Sequence, residues 1–144
     1  FVMNRVRLQE LYERLTDAAN QQFSGSKPIP SIWVDCEMTP SDLMGAPISF
    51  IDRLEPFGSG NPAPTFLAKR ILVKQTRLVG NRGQHLMLKL HDGHSQWNAI
   101  AFNQGRDMTS DRIDMVYNIT KQIWQGRQVM NIRILDFHES TSIR

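Results

Sequence analysis

A mainly-β fold with N-terminal helices is what this 144-residue sequence predicts, an α+β class in which a five-stranded Greek-key barrel follows a helical lead-in. Three observations predict it. Apolar residues recur every three or four positions up to Phe23 and about every two positions beyond residue 66, so the period changes from helical to extended. Between the two regimes, residues 55–64 hold three prolines and two glycines, a composition that excludes helix and central strand. Beyond it, turn signals separate five apolar runs of strand type.

Leu8, Leu11, Leu15, Ala18 or Ala19, and Phe23 line one face of a helix over Val2–Phe23, which stops at Ser24-Gly25-Ser26 before Pro28 and Pro30. Ile32–Cys36 is a short apolar run of strand type. Thr39 then stands as an N-cap candidate with Pro40 at the first helical position and Asp42 in the first turn. Pro47 starts a second short helix carrying Ile48, Ile51 and Leu54, which must end before Pro56. The connector's proline-fixed dihedrals make it stiffer than a Gly/Ser linker.

The barrel strands follow in order. Ala68–Val79 reads as a long first strand, with Gly80-Asn81-Arg82-Gly83 as the turn after it. Over Gln84–His91, Leu86, Leu88 and Leu90 share one face while His85, Met87, Lys89 and His91 share the other. Asp92-Gly93 is a hairpin signal leading into Gln96–Phe102. Asn103–Arg112 is polar and long enough for one or two helical turns. Ile113, Met115, Tyr117 and Ile119 mark a fourth strand, Gln125-Gly126 a turn, and Met130, Ile132 and Ile134 the inner face of a fifth strand ending near Phe137. This order matches an OB-fold, whose second and third strands and 1–2 and 4–5 loops bind oligonucleotides. An SH3-like barrel or a small sandwich also has about five strands, and the pattern alone leaves both open. The expected organisation is a helix over 1–25, a connector with a short strand and short helices over 26–65, the barrel over 66–138 and a tail over 139–144.

The net charge of +3 conceals an asymmetry. Residues 1–65 carry five basic and eight acidic side chains, whereas residues 66–137 carry eleven basic and five acidic. A net of +6 on the barrel suits a module facing a polyanion. The single cysteine, Cys36, excludes an internal disulfide framework and is compatible with a reducing cytoplasm. No run approaches the roughly 18 apolar residues of a membrane helix. Phe1 is not an initiator methionine, which points to a fragment.

Catalytic and metal chemistry find no motif. His85 and His91 share a strand face but stand about 20 Å apart on strand geometry, too far for one ion. Gly58-Ser59-Gly60 lacks the strand before it and the helix after it that a phosphate loop requires. No GxSxG, HExxH or Cys–His signature occurs, and Asp35 and Glu37 have no histidine partner. No catalytic residue, metal site or cofactor is therefore expected in this chain. The chemistry that does find residues is a groove for single-stranded nucleic acid, which needs cations along a phosphate path and flat side chains for bases. Arg77 and Arg82 fall at the 1–2 loop, His85 and Lys89 on the outer face of strand two, and Trp124 and Arg127 at the 4–5 turn. Trp97 either joins them or forms a core face with Ala99 and Ala101, leaving Gln96, Asn98, Ile100 and Phe102 outside.

Residues 54–66, Leu-Glu-Pro-Phe-Gly-Ser-Gly-Asn-Pro-Ala-Pro-Thr-Phe, resemble the LEPFGxGNPxPxF signature of bacterial RecJ single-strand-specific exonucleases. His85-Leu86-Met87-Leu88, Ala99-Ile100-Ala101-Phe102-Asn103 and Trp124-Gln125-Gly126 agree with later family motifs in the same order, and residues 1–23 resemble the last helix of the DHH-associated domain. The resemblance implies a C-terminal OB domain of an enzyme that degrades single-stranded DNA from its 5′ end in repair and recombination, with Mn²⁺ or Mg²⁺ held in a nuclease core elsewhere. It implies no catalytic residue here, because no Asp-His-His motif occurs, so the chain is expected to be inactive alone. Expected partners are single-stranded DNA, the nuclease core and a single-strand-binding protein, with no membrane. The alternative is a protein-interaction or structural closure domain docking a partner or that core.

Overall fold

The computed structural model describes residues 2, 4–23, 29–124 and 126–140, with the side chains of 122–124, 127 and 128 left aside. The helix stop expected at Ser24-Gly25-Ser26 and residues 141–144 of the expected tail lie outside the described residues. The chain divides into two units, Phe1–Ile32 and Trp33–Arg144. In the first, a 3-10 turn at Arg5–Arg7 leads into helix α1 (Leu8–Phe23). Asn4 caps this start, its Oδ1 accepting the Val6 N–H at 3.1 Å.

The second unit contains β1 (Cys36–Glu37), α2 (Ala46–Asp52), β2 (Phe66–Val79), β3 (His85–His91), β4 (Gln96–Ala101), β5 (Arg112–Trp124) and β6 (Arg127–Glu139). The strands run in the order β1-β2-β3-β4-β6-β5, and β2 also pairs with β5, so β2 to β6 close into a five-stranded barrel. One half of β2 pairs antiparallel with β5 and the other with β3. Closure on the far side is the parallel pairing of β4 with β6, Ala99 to Ile132 through Ala101 to Ile134. This is the OB architecture that the strand order anticipated. Of the short strand expected over Ile32–Cys36 only Cys36 is in a strand; it and Glu37 run parallel to Phe66 and Leu67.

The alternating residues fill the barrel. Leu86, Leu88, Leu90, Ala99, Ala101, Ile113, Met115, Tyr117, Ile132 and Ile134 are all buried. The register shifts at three bulges, one of them between Val73 and Gln75 of β2 opposite β3, and the other two re-aim core residues. On β2 the register shifts between Ala68 and Ile71, where Arg70 adopts φ 56° and its N–H donates to Asp114 Oδ1 at 2.7 Å. The extra residue turns Ile71 inward and leaves Lys69 and Arg70 exposed. On β6, Leu135 is the extra residue opposite Val116/Tyr117, and it turns Phe137 inward.

Where one or two helical turns were open to Asn103–Arg112, the structure has none. The reason is that this segment's donors are taken by other elements. Gly105 N–H bonds Gln84 O at 3.0 Å, Gln104 Nε2 reaches Leu135 O at 2.7 Å, and Thr109 and Ser110 N–H both bond Glu139 Oε2. Those Thr109 and Ser110 bonds hold the Glu139 carboxyl below the usual range, the Thr109 hydroxyl contributing most. Gly105 packs so closely on the β2–β3 turn that a Cβ there would stand 2.0 Å from Gly83 O. No helix starts at Thr39, where one was expected; Thr39 and Asp42 instead form reciprocal bonds, Thr39 N–H to Asp42 Oδ2 at 3.0 Å and Asp42 N–H to Thr39 Oγ1 at 3.3 Å. They close a run of turns over 40–45 that seats buried Pro40 and Leu43 on the barrel.

Asp92 ties that plug to the barrel. Its Oδ2 accepts Ser41 N–H and Trp97 Nε1–H, each at 2.8 Å, and its Oδ1 accepts His94 N–H at 3.0 Å and Ser95 N–H at 2.9 Å. Burial pushes this carboxyl up, but the bonds from Ser41, Ser95 and His94 outweigh it and hold the group at about 2, against 3.8 in the unfolded chain. Because the folded value is the lower one, the stabilisation is complete above about pH 4 and is lost as pH falls towards 2. Urea midpoints should therefore fall between pH 4 and pH 2, and Asp92→Asn should flatten that decline. A decline of equal steepness in the variant would assign the acid sensitivity to Asp42, Asp114 and Glu139, which shift in the same direction.

Candidate nucleic-acid interface

The outward residues of the barrel wall form rows across the strands, because paired residues on adjacent strands share a face. Arg77 stands opposite Met87, Met87 opposite Ile100, and Ile100 opposite Arg133. The next row runs Gln75, Lys89, Asn98. At about 4.8 Å per strand, Arg77 and Arg133 are separated by roughly 14 Å. Two cations thus flank two apolar side chains on one line. Arg77 Nη2 leans onto Met87 Sδ at 3.4 Å, which keeps the guanidinium at the edge of the apolar centre.

The surface along these rows is concave. A groove of about 380 Å³ is lined by Met87, Asn98, Ile100, Phe102, Lys121 and Arg133 among others. A second hollow, of about 250 Å³, continues it through Met87 and Asn98 to Lys89 and Arg77. Phe102, which lines the groove, is 44% exposed. The His85 ring meets it in a T-shaped arrangement at 5.2 Å between centroids, and the Arg133 guanidinium lies 5.6 Å from its centroid. His85 Nδ1 accepts the Asn103 N–H at 3.0 Å, so the imidazole is fixed and in turn positions Phe102.

Of the residues expected at the interface, Arg77 and Lys89 line this groove and His85 supports it. Arg82 is exposed at the β2–β3 turn, its N–H bonded to Gln84 Oε1 at 3.0 Å, and does not line the groove. Trp97 points inward. It is 9% exposed, with its indole N–H spent on Asp92, so the structure takes it from the interface and gives it to the core. Trp124 and Arg127 pair across the end of the β5–β6 hairpin, and their side chains lie outside those described. Arg133, Phe102, Met87, Ile100 and Lys121 were not singled out by the sequence. Alternation leaves Ile100 and Phe102 on the outer face in only one of its two readings of β4, and only the β4–β6 pairing brings Arg133 beside them.

Among the described residues no three His, Cys, Asp or Glu side chains stand close enough to share a metal ion. The nearest donors are engaged: both Asp92 oxygens take N–H groups, and His91 Nδ1 accepts Gly93 N–H at 3.1 Å. No described helix is long and apolar enough to cross a membrane.

The family model of the RecJ OB domain matches residues 34–136. The chain belongs to this family. A single-stranded-DNA-specific exonuclease RecJ of Bacillus subtilis (strain 168) is 25% identical to this RecJ OB domain chain over 131 residues, covering 88% of it and 17% of the relative. The RecJ exonuclease of Dickeya dadantii (strain 3937) is 24% identical over 132 residues, covering 89% and 23%. Crystal structures of RecJ from Thermus thermophilus with Mn²⁺ and with Mg²⁺ each superpose at TM-score 0.68 and 21% identity, over 99% of this chain and 20% and 22% of theirs. The chain thus spans about a fifth of the length of these relatives, and the structural likeness shows the fold. The RecJ OB match begins at Val34, one residue past the start of the second unit.

Proposed function

We propose that this RecJ OB domain binds single-stranded DNA as the accessory module of a RecJ-like 5′-to-3′ exonuclease acting in cytoplasmic DNA repair and recombination. What supports the reading most is the row Arg77–Met87–Ile100–Arg133, with the Phe102 ring beside Arg133. Phosphates take the guanidinium ends, and bases lie on the apolar centre and on the Phe102 ring. Hydrolysis, and the Mn²⁺ or Mg²⁺ it uses, belong to a nuclease core outside this chain. The chain's own residues bind and align the strand and cut nothing alone.

The test is titration of the 144-residue chain with a fluorescent single-stranded oligonucleotide across a salt series. Affinity should fall log-linearly with salt, by about 0.7 per phosphate contacted. Phe102→Ala should weaken binding by about 1–3 kcal/mol with the salt slope unchanged, and Phe102→Trp should restore it. Arg133→Ala should instead lower the slope by about one contact. A salt-independent affinity would remove the reading.

A second face favours protein docking. Leu43, Pro47, Phe50, Ile51, Leu54, Pro62 and Phe66 line an apolar hollow of about 440 Å³ that shares no residue with the groove. Phe50 is 60% exposed there. We propose this face as the one through which the domain closes onto its nuclease core or meets a single-strand-binding protein, and Phe50→Ser would then lower that association and spare oligonucleotide affinity.

A further inference from the structure

Lys121 stands where the groove meets the connector. It lines the groove with Asn131 and Arg133, and it also lines an adjoining hollow of about 520 Å³ together with Asp52, Glu55, Thr120 and Arg133. Its Nζ is ion-paired with Asp52 Oδ1 at the end of α2. The lysine side chain is 21% exposed and the aspartate 43%. Among the described residues, Arg77, Lys89 and Arg133, the other groove cations, have no carboxylate partner, so Lys121 differs from them.

We propose that Asp52 stands in for a DNA phosphate at this end of the groove, so that carboxylate and phosphate compete for Lys121 and Asp52 sets the affinity. The inference rests on the nucleic-acid reading above. An ammonium is a compact charge with three rotatable donors on a flexible stem, and it passes from one oxyanion to another without a backbone change. An exposed or half-exposed ion pair is weak, so a phosphate displaces it at modest cost. The carboxylate also repels any phosphate that approaches without displacing it. The wild-type domain therefore binds less tightly, and with a shallower salt dependence, than its cations alone would give.

The experiment compares wild type, Asp52→Asn, Lys121→Gln and the double variant, with Asp107→Asn, an exposed acid that lines neither hollow, as the charge control. The probe is a fluorescent oligothymidylate, titrated from about 50 to about 300 mM salt, a range over which phosphate contacts weaken measurably. Asp52→Asn should bind about three- to fivefold more tightly at the low-salt end, the range of a released surface ion pair. Its log–log slope should steepen by about 0.7. The gain should vanish in the double variant, and Asp107→Asn should show none. Asp52→Ser, with thermal melting of each variant, secures the result against a folding defect peculiar to asparagine. Equal affinity of Asp52→Asn and wild type, a gain that persists without Lys121, or an equal gain in Asp107→Asn each overturns the proposal. Failure of every variant and of wild type to bind is a different outcome: it removes the nucleic-acid reading and the competition with it.

Discussion

Trp97→Ala should lower unfolding free energy by about 3–5 kcal/mol, the range for truncating a buried aromatic. Two losses add. The indole is 9% exposed among Leu90, Ala99 and the other barrel residues, so its removal leaves a cavity. Its N–H also holds Asp92 Oδ2, the atom that accepts Ser41 N–H and thereby anchors the turns carrying Pro40 and Leu43. Trp97→Phe separates the two, since it keeps most of the volume and discards the donor; it should cost about 1–2 kcal/mol. Urea unfolding monitored by circular dichroism measures both. A loss under about 1 kcal/mol for Trp97→Ala, the scale of a surface substitution, would place this residue outside the core after all. Neither variant should change the salt slope of oligonucleotide binding, and this separates a core tryptophan from a stacking one.

That residue marks how far the sequence could be read. The period-two pattern of β3 was legible because the signal is local: Leu86, Leu88 and Leu90 alternate without interruption and all are buried. On β4 both faces carry apolar residues, Trp97, Ala99 and Ala101 against Ile100 and Phe102, so alternation could not choose between them. What chooses is Asp92, a hydrogen-bond acceptor placed in the preceding turn. Strict alternation also fails at Ile71 and Phe137, where bulges shift the phase by one residue; Arg70 gives no warning, since a positive φ is uncommon for arginine. The 103–111 segment looked able to make a helical turn because its long-range acceptors, Gln84 O, Leu135 O and Glu139, are invisible to a local reading. The site divides in the same way. Arg77 and Lys89 were legible from strand position, whereas Arg133 joins Ile100 only through a pairing of strands distant in sequence.

The triple substitution Arg77→Ala, Lys89→Ala and Arg133→Ala should abolish most of the oligonucleotide affinity while the fold persists. All three side chains are exposed on the outer wall, and Arg77 and Arg133 sit at opposite ends of one cross-strand row. Each charge-assisted phosphate contact is worth about 1 kcal/mol or more, so three lost contacts weaken binding about 100-fold at about 50 mM salt. The salt series makes the assignment specific. Three fewer phosphate contacts lower the log–log slope by about 2, so the gap between wild type and variant should shrink roughly 20-fold as salt rises from about 50 to about 200 mM. A variant that lost affinity through misfolding would show no such convergence. Removing Arg5 and Arg7, exposed cations of the first unit, provides the comparison in bulk charge. If that pair lowers the slope as much per charge as the groove residues do, binding follows net charge, and the row of cations around Met87 and Ile100 has no particular claim on the DNA.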